Sequence, residues 1–145
     1  MKCNNPIISG YLYNTCMKYS KENIIIEYDI NVVSNDIDVK TKEVIEILGV
    51  LISNAAECYN NTFGTIKLII KEINKIFTIE VRNKAEYISY GQLENIFKRG
   101  YSTKGEDRGI GLYSVKNIVD KFEGTISVNN VEVNEENWVN FCVVI

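Results

Sequence analysis

The chain of 145 residues is long enough to bury the core of one domain, and its 46% hydrophobic and 24% charged residues are typical of globular proteins. Its net charge of −3 argues against nonspecific nucleic-acid binding, because domains with that task are usually basic. It contains no histidine, and its four cysteines lack the paired spacing of a zinc site. We therefore expect reduced thiols, no His-dependent catalysis and, since no apolar run approaches about 18 residues, no membrane helix.

The first half of the chain alternates between helical and strand patterns. Asn5 followed by proline is typical of a helix cap, and apolar spacing predicts a helix over residues 6–19. The β-branched run at residues 24–30 predicts a strand. After a polar connection, a second helix is expected over residues 42–59, with Thr41 as its cap.

The second predicted helix carries two stripes. Its apolar face predicts burial of Val44, Leu48, Leu51, Ile52, Ala55 and Tyr59. By the same 100° arithmetic, Val50, Asn54 and Glu57 form a separate stripe that places Asn54 on the shoulder of the helix. On spacing alone, a solvated Asn54 is favoured over a functional one.

Two hairpins and a long connection make up most of the remainder. Alternating residues at 65–72 and 76–82, separated by Asn74-Lys75, predict the first hairpin. Residues 83–108 have weak periodicity apart from a possible short turn at 92–97, which indicates a functional lid or a mobile segment.

A third long helix is expected directly after this connection. Apolar residues recur at helical spacing over residues 112–122, and Gly124 follows as the expected stop. The second hairpin is predicted from residues 125–133 and 138–145, joined through residues 134–137. This order of elements predicts an α+β fold, a two-layer sandwich whose mixed, mostly antiparallel sheet is covered on one face by helices.

The third helix opens on a pair of glycines, Gly109 and Gly111, within residues 108–112. A helix that starts this way offers unpaired N–H groups and a positive dipole end, which suits a phosphate. The alternative is a loop and a helix start that simply need glycine's dihedrals.

Three segments in this order resemble the GHKL ATP-binding fold of histidine kinases and gyrase-type ATPases. Residues 49–57 are similar to its N-box, residues 97–105 to its F-box and lid, and residues 108–112 to its G2 box. The amino-acid sequences of these segments are most similar to those of peptide-sensing, Agr-type sensor histidine kinases.

The resemblance implies that ATP and Mg²⁺ are the cofactors. Asn54 would supply a side-chain oxygen to the metal, which prefers oxygen ligands, and Phe97 would anchor the lid. Basic lid residues would neutralise the phosphates, although each of them could equally be a solvated residue. The implied nucleotide-binding residues are Asn54, Asn83, Phe97, Lys98, Arg99, Ser102, Thr103, Lys104, Arg108, Gly109, Ile110, Gly111 and Leu112.

The chain departs from the family pattern at three positions. Asn83 stands where the family's G1 box has an aspartate that accepts from the adenine amino group, and an amide accepts more weakly than a carboxylate. Val50 replaces the asparagine or glutamate of other members, so self-contained ATP hydrolysis is not expected. Glu57 occupies a position that is often lysine in the commoner kinases.

By resemblance, residues 21–145 are the catalytic domain of a two-component sensor histidine kinase, and residues 1–20 end the linker helix of its dimerisation domain. The domain would donate the γ-phosphoryl of ATP to a histidine on that dimerisation domain, with a response regulator downstream and no nucleic-acid partner. The intact protein is expected to be a membrane-bound homodimer with this domain in the cytoplasm. Two alternatives are a degenerate, anti-sigma-like interaction module and a stand-alone GHKL ATPase.

Overall fold

The computed structural model describes residues 1–101 and 110–145. Within them, the strands are β1 (Lys2–Cys3), β2 (Ile24–Val32), β3 (Gly64–Ile73), β4 (Ile76–Lys84), β5 (Thr125–Val133) and β6 (Glu136–Val144). The helices of the same part of the chain are α1 (Pro6–Lys21), α2 (Val39–Glu57), α3 (Tyr90–Asn95) and α4 (Ile110–Lys121). None of these helices is long and apolar enough to cross a membrane.

The described strands form one mixed sheet in the order β1-β2-β3-β4-β6-β5. The pairs β1–β2 and β2–β3 are parallel, whereas β3–β4, β4–β6 and β6–β5 are antiparallel. A parallel connection between neighbouring strands requires a crossover, and α2 supplies the one between β2 and β3. The expected mixed, mostly antiparallel sheet is confirmed.

One face of the sheet carries the core. Alternate residues of β3 and β4, among them Leu68, Ile70, Ile79 and Val81, are fully buried. Helices α1, α2 and α4 pack on that face, against β2, against β3 and β4, and against β5 respectively. Since side chains alternate across a strand, the opposite face is left to residues such as Lys67 and Lys71. The expected two-layer α+β sandwich, with helices on one face, is confirmed.

Helix α1 begins where the sequence predicted. The Asn5 side chain accepts hydrogen bonds from the backbone N–H groups of Ile7 and Ile8, at 3.0 and 3.1 Å, and proline occupies the first turn. Ile8 and Leu12 are buried in the same core as the residues of α2. Helix α1 therefore packs as a layer of this sandwich, and the assignment of residues 1–20 to a linker helix stays a prediction.

The expected cap of α2 was wrong by one turn. Helix α2 starts at Val39 and its N-cap is Asp38, not Thr41. The Asp38 carboxylate accepts from the Thr41 backbone N–H at 3.0 Å, and the Thr41 hydroxyl accepts from the Asp38 N–H at 3.4 Å. Thr41 thus takes the position that glutamate or glutamine usually holds in a capping box, which explains why its cap-like chemistry was assigned to the wrong residue.

Both predicted hairpins form, and each closes through two residues with positive φ. These are Asn74 (52°) and Lys75 (65°) in the first hairpin, and Asn134 (51°) and Glu135 (66°) in the second. Two consecutive positive φ values match the right-handed twist of the flanking strands. Strand β6 consequently starts at Glu136, two residues before the expected position.

Helix α4 also starts earlier than expected and ends by a different device. It begins at Ile110 rather than Leu112, and the left-handed residue after its end is Glu123 (φ 54°), not Gly124. A Cβ at Gly124 would lie 2.0 Å from the Val144 carbonyl oxygen. Gly124 is therefore required because the chain passes directly over the end of β6.

Candidate functional site

The shoulder stripe of α2 is the first component of the site. Val50, Asn54 and Glu57 are all half-buried, between the buried face of the helix and solvent. The neighbouring positions Leu51 and Ile52 are almost fully buried and hold the helix on the sheet. Asn54 is thus presented at a fixed place on the rim of the core, as the 100° spacing predicted.

The first turn of α4 lies against this stripe. A Cβ at Gly111 would come within 3.0 Å of Val50 Cγ1. Val50 precedes Asn54 by one helical turn, about 6 Å along the axis. The structure therefore places Asn54 one helical turn from the contact between α2 and the start of α4, although Asn54 and Ile110 are separated by more than fifty residues in the sequence.

Gly111 has a packing role that the sequence did not indicate. Its φ is not in the left-handed region, so the requirement for glycine comes from the close approach to Val50. This contact also accounts for the valine at position 50, which packs against a helix instead of carrying a polar group. Both residues serve the α2–α4 contact. The backbone N–H groups in the first turn of α4 have no acceptor within the helix, as at any helix start.

Asn83 lies at the end of β4, on the face of the sheet that the helices cover. It is 3% exposed and pairs with Ile66 and Val139 on the neighbouring strands. Its Nδ2 donates to the Lys84 carbonyl oxygen at 3.1 Å. Asn83 is therefore held as a buried amide whose orientation is partly set by the backbone of the next residue, Lys84.

Tyr59, two residues beyond the end of α2, links that helix to the Asn83 segment. Its hydroxyl accepts from the Lys84 backbone N–H at 3.1 Å and donates to the Thr65 carbonyl oxygen. Burial raises the pKa of the Tyr59 phenol, so the hydroxyl stays a neutral donor at neutral pH. The sequence predicted only that Tyr59 would lie on the buried apolar face of α2, because these hydrogen bonds depend on the tertiary fold.

Phe97 attaches the connection between β4 and α4 to the core. Phe97 is half-buried against the core, and its ring meets that of Phe141 edge-on, with centroids 6.4 Å apart. The next residues, Lys98 and Arg99, are exposed. The expected packing of Phe97 on the core is confirmed, whereas its role as anchor of a nucleotide lid stays a prediction, as does the role of the two exposed cations that follow it.

Ile110 and Leu112, two further predicted binding residues, lie in the first turn of α4. Ile110 is exposed, whereas Leu112 is half-buried and packs against the core. The other predicted binding residues lie outside the part of the chain that the structure describes: Ser102, Thr103, Lys104, Arg108 and Gly109.

The donor set around Asn54 suits a metal that brings most of its own ligands. Among residues 1–101 and 110–145, no three His, Cys, Asp or Glu side chains cluster in a way that could hold an ion. Mg²⁺ commonly takes one or two protein oxygens and completes its shell with phosphates and water. A single amide oxygen beside a helix N-terminus fits Mg²⁺ bound to a nucleotide.

Two further residues, Asn130 and Asn137, were missed by the sequence analysis. Their side chains bind the backbone of residues 85–88, directly after Asn83. The available signal was an asparagine in the middle of a strand pattern, because asparagine is depleted in strands.

This chain is similar in sequence to sensor kinases and has the fold of a histidine kinase catalytic domain. A probable C4-dicarboxylate sensor kinase of Halalkalibacterium halodurans is 33% identical over 136 residues, which cover 89% of this chain and 25% of that protein. The sensor histidine kinase DcuS of Escherichia coli (strain K12) is 27% identical over 132 residues, covering 89% and 24% of the two chains. The catalytic domain of histidine kinase ThkA has the same fold, with a TM-score of 0.71 and 23% identity over 94% of this chain and 89% of that one.

These relatives narrow the resemblance drawn from the sequence. They are kinases of the DcuS kind, and the expected placement among the peptide-sensing Agr-type kinases is not supported. This chain spans about a quarter of their length. The family described as histidine kinase-, DNA gyrase B- and HSP90-like ATPase matches residues 39–144, from the start of α2 to the end of β6. The chain therefore belongs to the histidine kinase-, DNA gyrase B- and HSP90-like ATPase family.

Proposed function

We propose that this chain is the ATP-binding catalytic domain of a two-component sensor histidine kinase, and that it binds Mg-ATP between α2 and α4. The observation that carries the proposal is the contact between Val50 and Gly111, which sets the first turn of α4 beside the helical turn that bears Asn54. One component offers a neutral oxygen ligand to a cation, and the other offers N–H donors and a positive dipole end to phosphates.

The roles of individual residues follow from their chemistry. The Asn54 amide oxygen would hold Mg²⁺, and the buried amide of Asn83 would accept from the adenine amino group. The exposed cations Lys98 and Arg99 would neutralise phosphate charge. The five predicted binding residues outside the described part of the chain stay a prediction, in which they complete the lid and the helix start: Ser102, Thr103, Lys104, Arg108 and Gly109.

Bound Mg-ATP supplies the phosphoryl group, and the chain contributes position and charge. Val50 cannot act as a general base, so the site holds no side chain in that position to activate water. The chain has no histidine to phosphorylate. The acceptor would therefore be a histidine on a dimerisation domain outside this sequence. The intact protein would be a membrane-bound homodimer with this domain in the cytoplasm, and it would signal to a response regulator.

Calorimetric titration with Mg-ATP tests this function. We expect binding by the wild-type chain, at least tenfold weaker binding by Asn54→Ala because the metal loses its protein ligand, and normal binding by the control Ser53→Ala on the adjacent half-buried position. Equal affinity in Asn54→Ala and wild type, with both folded, would remove Asn54 from the site.

One observation favours a second candidate. Because Asn83 replaces a carboxylate, the chain is also suited to a degenerate, interaction-only module that binds a partner protein instead of ATP. Absence of binding at millimolar Mg-ATP would favour this alternative. Steady phosphate release by the chain alone would instead favour a stand-alone ATPase.

A further inference from the structure

Two asparagine side chains of the β5–β6 hairpin hold the segment that follows Asn83. We name them, Asn130 and Asn137, the amide clamp. Asn130 Oδ1 accepts from the Ile88 N–H and Asn130 Nδ2 donates to the Ile88 carbonyl oxygen, both at 2.9 Å. Asn137 binds Ala85 through one side-chain and one backbone group: its Nδ2 donates to the Ala85 carbonyl oxygen and its backbone carbonyl oxygen accepts from the Ala85 N–H, both at 3.1 Å.

The two amides of the clamp also support each other. Asn137 Nδ2 donates to Asn130 Oδ1 at 3.2 Å, and both side chains are half-buried. Asn130 sits mid-strand opposite Val139, at a position where asparagine has poor intrinsic preference. Its side chain satisfies both backbone groups of Ile88, as a neighbouring strand would do. This arrangement attaches residues 85–88 to the sheet without extending it.

The clamp lies at one end of a longer attached segment. Its first residue, Ala85, follows Asn83 by two positions, and at the other end the Phe97 ring packs on Phe141 of β6. The base of the lid, residues 85–97, is thus fixed to the β5–β6 hairpin near both of its ends. The orientation of the backbone around Asn83 and the starting point of the lid depend on the same hairpin.

We propose that Asn130 is a positioning residue of the nucleotide site, which acts through the backbone of Ile88 and not by touching the ligand. It holds the lid base so that Asn83 stays presented to the nucleotide base. This inference rests on the proposed function. Without the clamp, the binding-competent arrangement becomes one of several, and apparent affinity falls in proportion to its population. A decrease of that population to about one tenth raises the apparent Kd of Mg-ATP about tenfold.

The test compares three single substitutions by Mg-ATP titration. Asn130→Ala removes both bonds to Ile88 and should raise the Kd about tenfold. Asn130→Asp keeps an acceptor for the Ile88 N–H but loses the donor to its carbonyl, so it should give an intermediate Kd. The matched control is Asn129→Ala, the preceding residue of β5, which is exposed on the other face of the strand and should bind as wild type does.

Hydrogen exchange separates positioning from general destabilisation. In nucleotide-free Asn130→Ala, the amide of Ile88 should exchange faster while that of the core residue Val81 is unchanged. Equal acceleration at both amides would overturn the inference, since the effect would be global. Wild-type affinity in Asn130→Ala would overturn the role of Asn130 and leave the proposed function standing. Absence of Mg-ATP binding by the wild-type chain would overturn both.

Discussion

The contact between α2 and α4 makes Gly111→Ala a sensitive probe of the site. A Cβ 3.0 Å from Val50 Cγ1 is several tenths of an ångström closer than ordinary contact, so one of the helices or the valine must move. Overpacking of this kind costs about 1–3 kcal/mol, and the better helix propensity of alanine offsets less than about 1 kcal/mol of it. We expect a net loss of roughly 1–2 kcal/mol in the free energy of unfolding.

A second substitution identifies the cause. Val50→Ala should cost about 1 kcal/mol by itself because the side chain is half-buried. In that background both Cγ atoms at position 50 are gone and its Cβ lies 3.9 Å from the new methyl group, an ordinary contact. Gly111→Ala should therefore cost little, which corresponds to a coupling energy of about 1 kcal/mol or more. Mg-ATP binding should follow the same pattern: it should weaken in Gly111→Ala and recover in the double variant.

The measurement is urea unfolding of the wild type, the two single variants and the double variant, monitored by circular dichroism, with equal m-values as the condition for comparison. Gly91→Ala is the matched control, because Gly91 is also the second residue of a helix and no atom lies within 4 Å of its added Cβ. Additive effects within about 0.3–0.5 kcal/mol would show that Gly111 and Val50 do not meet, and would refute the reasoning. Recovered stability without recovered binding would show that Gly111 is needed for the phosphates themselves.

Three further predictions concern chemistry, pH and dynamics. Incubated alone with Mg-ATP, the chain should acquire no phosphoryl group, whereas a histidine-bearing dimerisation domain added in trans should be labelled on that histidine, weakly because tethering is absent; stable self-labelling on a gel would contradict the proposed function. The Lys121 ammonium donates a hydrogen bond to the Glu43 carboxylate at 2.8 Å and thereby lowers the pKa of that carboxyl. The stabilisation by this exposed pair, at most about 1 kcal/mol, should therefore be complete above the ordinary glutamate pKa and be lost as pH falls through the lowered one. Urea unfolding of Lys121→Ala and wild type should then differ at pH 7 and converge once the pH lies below the lowered pKa of Glu43, and a difference that persists there would exclude this pair as its source. Hydrogen exchange over residues 98–101 should slow when Mg-ATP is added, and equal protection in both states would mean that this stretch is not part of a nucleotide lid.

The sequence predicted those features that depend on local periodicity. The stripe that carries Asn54 follows from helical spacing alone, and the two-residue hairpin at Asn74 follows from alternation and turn chemistry. The start of α2 was misplaced because Asp38 and Thr41 both have capping chemistry, and only the bond directions distinguish them. Short apolar spacing likewise could not show that α4 begins at Ile110.

Features that depend on distant parts of the chain were not accessible in this way. Asn130 and Ile88 are 42 positions apart, so their hydrogen bonds exist only once the hairpin and the lid base are assembled. Val50 was interpreted as a lost polar group, and its contact with Gly111 requires knowledge of how α2 and α4 pack. The family resemblance supplied the order of the motifs, but the finer placement among Agr-type kinases was not supported by the relatives.

The position of β6 between β4 and β5 has a consequence for synthesis on the ribosome. Strand β5 is made before β6 and has no other partner in the described sheet, and β4 also exposes one edge until residues 136–144 emerge. The nascent chain therefore carries two unpaired strand edges at once, which is the state in which strands associate with other chains. Ile145 adds two backbone bonds to Phe77, at 2.7 and 3.0 Å, so the sheet closes only when this segment arrives. Completion of the sandwich thus waits for the synthesis of β6, and a chain interrupted at the turn before β6 would be prone to aggregate.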